Sequence, residues 1–138
     1  MNLIEQLMRY IADQEEDISF STNGGNIFMD RLPDKPDYAV VVRGTGGYKG
    51  HSYYSQDIPT VQIITRGDSD PRKGYDLAAE IYHNLHGYRG VFVPDETWVD
   101  RVEGIQSAPY SMGPDENGRI RYSQNYIIRI TGKTNHRE

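Results

Sequence analysis

The twelve residues from Ile120 to Thr131 constrain this chain more than any other stretch. Ile120, Tyr122, Tyr126, Ile128 and Ile130 recur at every second position, with Gln124 the one interruption. Arg121, Ser123, Asn125, Arg129 and Thr131 fill the alternate positions, broken only by Ile127, and Arg119 extends that polar series. Successive side chains of a strand point to opposite faces, so this is a strand with one buried and one wet face. Such a strand needs partners on either side and an apolar layer over its inner face.

Two amphipathic segments can supply that layer. Leu3, Ile4, Leu7, Met8 and Ile11 recur at helical spacing, behind Asn2 as N-cap and Glu5 three residues on. The second runs from Asp70 to Gly87. Asp70 caps it, Pro71 suits its first position and Gly87 its stop. Leu77, Ala78, Ile81, Tyr82 and Leu85 form its apolar stripe, while Asp76, Glu80 and His83 point away.

Further strands are expected at Asn26 to Asp30, Tyr38 to Arg43, Thr60 to Arg66, Val91 to Val93 and Trp98 to Ser107. Asn23-Gly24-Gly25 and Pro114 to Gly118 carry turn chemistry. Gly44 to Gln56 holds four glycines and three tyrosines, which predicts a long flexible loop over about 44–57. The polar tail from Lys133 to Glu138 is expected to fray. The expected fold is α+β: a mainly antiparallel, possibly mixed, sheet with two helices packed on one face. A chain of 138 residues suits a single domain, 1–138, with a core that needs no staples.

Composition closes several routes. There is no cysteine, which removes thiol catalysis and disulfide frameworks. No apolar run approaches a membrane span. Met1 to Ala12 has no secretory pattern, so synthesis in the cytoplasm is expected. A net charge of −5 argues against tight nucleic-acid binding. Eleven tyrosines beside three phenylalanines suit half-wet surfaces and interfaces.

No motif assembles a reaction. Lys49 precedes Gly50 rather than Ser or Thr, and it also occupies the third-glycine position of a dinucleotide fingerprint. Glu80, His83 and His86 lie at i, i+3 and i+6, about 240° apart end to end, so three ligands cannot converge. A metal-dependent enzyme would have to use Glu80 and His83 with a third ligand from elsewhere. His51 and Ser52 are neighbours without a third group to orient them. The stretch Thr65 to Asp70 spells Arg-Gly-Asp-Ser, an adhesion tetrapeptide, but it also reads as a strand end, a turn and a helix cap. The expectation is therefore a non-enzyme with no catalytic, cofactor or metal site. The acidic run Asp13 to Asp17 and the basic face Arg119, Arg121 and Arg129 suggest instead head-to-tail contacts between copies.

Three stretches in order carry a resemblance. They are "RLPDKPDYAVVVRGTGG", "PTVQIITRGDSDPRKGYDLAAEIYHNLHG" and "GIQSAPYSMGPDENGRIRYSQNYIIRI". Together they resemble the minor capsid and tail-terminator (tail-completion) family of long-tailed bacteriophages and prophages. The resemblance implies a structural virion protein without catalytic or cofactor residues. It implies a homo-oligomeric ring, a hexamer, that caps the head-proximal end of the tail tube, stops its polymerisation and joins tail to head. The partners it implies are the tail tube protein and the head connector or neck protein. DNA would pass through the lumen without specific binding, and no membrane would be involved. A head-completion or neck protein is the alternative within the same family. The glycine–tyrosine segment would dock on assembly through Tyr48, Lys49, Tyr53 and Tyr54, with Arg66 and Asp68 also candidates for an interface.

Overall fold

The computed structural model describes residues 1–21, 24–50 and 56–132. The expectations for Asn23, for His51 and Ser52, for Tyr53 and Tyr54, and for the tail from Lys133 lie outside those residues. The elements are α1 (Leu3–Gln14), β1 (Ile27–Met29), β2 (Ala39–Tyr48), β3 (Gln56–Arg66), α2 (Pro71–Leu85), β4 (Gly90–Val91), β5 (Trp98–Gly104), β6 (Tyr110–Pro114) and β7 (Ile120–Thr131). This is the expected α+β fold. The strands form one seven-stranded sheet in the order β1-β2-β3-β7-β5-β4, with β6 beside the first part of β7. Neither helix is long and apolar enough to cross a membrane.

Both helices start as the sequence dictates. The Asn2 side chain accepts from the Glu5 N–H at 2.8 Å, and Asp70 accepts from the Arg72 N–H at 3.0 Å. Their stripes pack on one face of the sheet. Leu7 and Ile11 from α1 and Leu77, Ile81 and Leu85 from α2 meet Val40, Val42, Val61, Ile63, Val102, Tyr126 and Ile128 in one buried cluster. Gln124, the interruption in the alternation of β7, is buried in the same face. It donates to the Gln106 carbonyl and accepts from the Tyr126 hydroxyl, so the interior amide has partners.

The sheet is mixed because β1 runs parallel to β2, while every other pairing is antiparallel. A parallel pair needs a crossover, commonly a helix. Here the return runs through the irregular, Pro-containing segment of residues 30–38. Its backbone groups find no helical partners of their own, and the way they are satisfied shapes the back of the sheet.

The long loop expected over 44–57 needs correction. Strand β2 continues to Tyr48 and β3 begins at Gln56. The glycines serve a bulged ribbon, with a register shift between Gly44 and Gly47. Gly47 sits at φ +133°, and a Cβ there would meet the Ile58 carbonyl oxygen and lie 2.6 Å from Pro59 Cα. Gly46 also has positive φ, +89°, but open space around it. Gly47→Ala is therefore expected to cost more stability than Gly46→Ala, at the upper end of about 1–3 kcal/mol. Chemical denaturation of the two variants checks this, and equal losses would remove the close approach as the cause.

Candidate functional site

The back face of the sheet, opposite the helices, begins with a buried arginine pair. Arg66 ends β3 and is 3% exposed, while Arg119 precedes β7 and is 6% exposed. Arg66 donates to the carbonyls of Asp37 (3.0 Å), Asp34 (3.3 Å) and Pro36 (2.6 Å). Arg119 donates to the Asp34 carbonyl and forms ion pairs with the carboxylates of Asp34, Asp37 and Asp115 at 2.8–2.9 Å. Together they fasten the crossover segment onto the sheet. Only a forked guanidinium reaches this many acceptors at once. Burial pushes the Asp115 carboxyl up, but backbone N–H bonds from Arg119 and Asn117 and the Arg119 charge leave it below the usual range. Burial, with the Arg119 charge adding to it, lowers the Arg66 guanidinium.

The remainder of this face is rich in arginine. Arg66 lies directly opposite Arg121 across β3 and β7, and Arg101 opposite Arg129 across β5 and β7. Like charges placed directly opposite destabilise a sheet. Glu103 relieves the second pair, at 2.8 Å from Arg129 and 3.9 Å from Arg101. The Arg129 hydrogen bond keeps that carboxyl below its usual range, against some burial. Arg43 on β2 donates to the neutral Gln62 and makes no ion pair among the described residues. Arg121 makes no ion pair among the described residues, and its enclosed Nε has no hydrogen-bond partner. It lines a hollow of about 340 Å³ with Leu32, Arg66, Arg119 and the carboxylates of Asp34, Asp115 and Glu116.

The helix side has the opposite sign. Asp13, Glu16 and Asp17 after the core of α1, and Asp76 and Glu80 on α2, are exposed. None joins an ion pair among the described residues. Tyr38 lies among them, in a hollow lined by Asp17, Lys73, Asp76, Leu77 and Glu80. Burial and then the surrounding carboxylates push its hydroxyl up to about 12. Glu15 is buried at the end of α1, where it accepts from the Asn84 side chain at 2.8 Å. Burial and the adjacent Glu80 raise its carboxyl to about 7.

The other expected residues are dispersed. Tyr48 is 62% exposed at the end of β2, and Lys49 follows it, also exposed. Asp68 accepts from the Asp70 N–H and from Lys73 at 2.8 Å, and the Lys73 hydrogen bond is the chief reason its carboxyl is lowered. The Arg-Gly-Asp tripeptide is thus a joint rather than a displayed loop tip. Arg66 is buried, and a Cβ on Gly67 would lie 2.9 Å from the Gly74 nitrogen. Among the described residues, no group of three His, Asp or Glu side chains is arranged to hold a metal. His86 instead stacks on Tyr82 and accepts from the Gly104 N–H through Nδ1.

Sequence reasoning placed Arg119 on the wet face but missed its burial. The available signal was local. Asp115 four residues before Arg119, across an Asn-Gly turn, sets up an ion pair, and two more aspartates flank Pro36 in a segment short of backbone partners.

Comparison with known proteins yields a family match and structural matches. A family model described as "Bacteriophage tail terminator protein" matches residues 6–131. No curated protein matches the chain. Among solved structures, a chain of "Virion of native gene transfer agent (GTA) particle" matches with a TM-score of 0.58 at 13% identity, covering 96% of this chain and 100% of that one. Similarity at that identity shows a shared fold.

Proposed function

The chain belongs to the bacteriophage tail terminator family, and from that premise we infer that it is a structural virion protein whose copies form a ring on the head-proximal end of the tail tube. The ring, a hexamer by resemblance to the family, stops tube polymerisation and offers the head connector or neck protein a docking surface. The genome passes through the lumen without being read. The family match over residues 6–131 carries this conclusion. The same fold in a chain of a gene transfer agent virion supports it. The net charge of −5 fits a passage that DNA must not adhere to. The chain then needs no catalytic residues, and its work is done by surfaces, with the ribbon ending at Tyr48 and Lys49 as one docking element.

The test is growth of tail tubes from purified tube protein with and without this chain. Added protein is expected to arrest elongation and leave a ring at one end of each tube in negative-stain images. Tubes that grow unchanged, with the chain bound instead to DNA-filled heads, would favour the head-completion role.

A further inference from the structure

We propose that the arginine face of the sheet receives the acidic helix edge of a second copy of this chain, and that this contact joins neighbours in the ring. The proposal rests on the ring-forming function above and names the surfaces that build it.

Four observations converge on it. The first is the cost already present in the lone chain. Two pairs of arginines stand directly opposite one another behind the sheet, with Arg66 of the first pair buried and the second pair sharing Glu103, in a protein whose net charge is negative. A fold that needed only solubility would not place like charges there. The second is Arg121. Its neighbours Asp34 and Asp115 are taken by Arg119, its cross-strand partner Arg66 is committed to backbone carbonyls, and its own Nε is enclosed and unpartnered. An enclosed donor without an acceptor is costly unless an acceptor arrives from outside.

The third is complementarity. Of Arg43, Arg101, Arg121 and Arg129, only Arg101 and Arg129 have an ion-paired carboxylate among the described residues, and both use Glu103. On the opposite side Asp13, Glu16, Asp17, Asp76 and Glu80 are exposed without ion pairs among the described residues, and the nearby cations Arg9, Arg72 and Lys73 are held by Glu5, Asp70 and Asp68. The fourth is placement. The acids lie on the helix layer and the arginines behind the sheet, so one copy carries both halves on opposite sides. Contact between unlike faces is heterologous and propagates from copy to copy until the rotation closes a ring. A two-fold dimer would set like charge on like. Carboxylates around Arg121 also suit individually placed side chains of a protein partner better than a continuous run of phosphates.

The experiment is a charge swap read by size-exclusion chromatography with light scattering. One chain carries Arg121→Glu with Arg129→Glu, and the other Asp76→Lys with Glu80→Lys. Each variant alone is expected to assemble at least tenfold more weakly than the unmodified chain. An equimolar mixture is expected to recover rings, because both altered faces are again complementary. Assembly of the unmodified chain is expected to weaken between about 0.05 M and about 0.5 M salt. Thermal melts of each variant show whether it is folded, and recovery in the mixture cannot come from unfolded chains. Rings that form normally from either variant would overturn the proposal and leave the terminator function standing. So would duplex DNA binding lost with Arg121→Glu and Arg129→Glu while assembly is unchanged. If the unmodified chain forms rings only on tube ends, the same variants and mixture are read by tube arrest. A chain that neither forms rings nor arrests tubes would remove both proposals.

Discussion

Replacing Arg119 with lysine is expected to lower the unfolding free energy by about 2 kcal/mol and to free the crossover segment between β1 and β2. Arg119 is nearly enclosed, while its partners Asp34 and Asp37 remain open to water. Those two carboxylates recover hydration when the guanidinium leaves, so the loss stays below the roughly 3–5 kcal/mol typical of a fully buried pair. The Asp34 carbonyl and the Asp115 carboxylate recover less, since one ammonium cannot serve both and still reach the others. Arg119→Ala should cost more, about 3 kcal/mol, because it also leaves a void where the side chain packed. Chemical denaturation gives the energies, and amide exchange over residues 31–37 shows where the order is lost. Arg101→Lys, on an exposed arginine 3.9 Å from its carboxylate, is the control and should change stability by less than about 0.5 kcal/mol. Arg66 holds the same segment by three carbonyls, so the combined loss of both arginines should fall short of the sum. Unchanged exchange over 31–37 in Arg119→Lys would show that Arg119 does not hold this segment.

The segment that these arginines fasten also marks what sequence could and could not convey. The elements that obey one local rule were legible. Helix α1 follows from a stripe and an Asn2 cap, α2 from Asp70, Pro71 and Gly87, and β7 from its alternation. What was not legible depends on residues far apart in the chain. Strand β1 is three residues long, and nothing local says that it runs parallel to β2. The glycines after Arg43 suggested a loop because glycine favours turns. Gly47 is required instead by a neighbour across the ribbon, Pro59, whose approach no local pattern reveals. Strand β6 carries a register shift beside Gly113 and ends on Pro114, so it lacks the regular alternation that would have announced it. The same distinction holds at the site. Alternation put Arg119, Arg121 and Arg129 on one face. Only the folded arrangement separates Arg119, which is spent inside the subunit, from Arg121, which is not.

Glu15 gives the strongest expected pH effect, and its sign can be worked out from its surroundings. Its carboxyl is buried against Glu80 and raised from an ordinary 4.5 to about 7, burial being the larger cause. The folded chain therefore holds a proton that the unfolded chain has released between about pH 4.5 and 7. Stability falls where the folded state binds more protons and pH rises, so this contribution is complete below about 4.5 and lost above about 7. The full shift corresponds to an upper bound of about 3 kcal/mol, and the openness of Glu80 to solvent brings the expected loss to about 1–3 kcal/mol. The lowered carboxyls of Asp68, Glu103 and Asp115 act in the opposite sense, losing their contribution as acid protonates them. The bare pH profile thus mixes both trends, and a variant is needed to separate them. Glu15→Gln keeps the acceptor for Asn84 and supplies a permanent donor toward Glu80, reproducing the protonated state at every pH. It should match the unmodified chain at pH 5 and exceed its unfolding free energy by about 1–3 kcal/mol at pH 8.5. Glu80→Gln should recover part of the same difference by removing the facing charge while leaving Glu15 buried. Denaturant titrations at the two pH values decide the matter, and a Glu15→Gln chain that loses as much stability as the unmodified one would place the alkaline loss elsewhere. The stakes reach beyond stability, because Glu80 belongs to the acidic edge assigned to the neighbouring subunit. An arginine face seated on that edge would favour the ionised carboxylates, so assembly should lower the pH at which Glu15 gives up its proton.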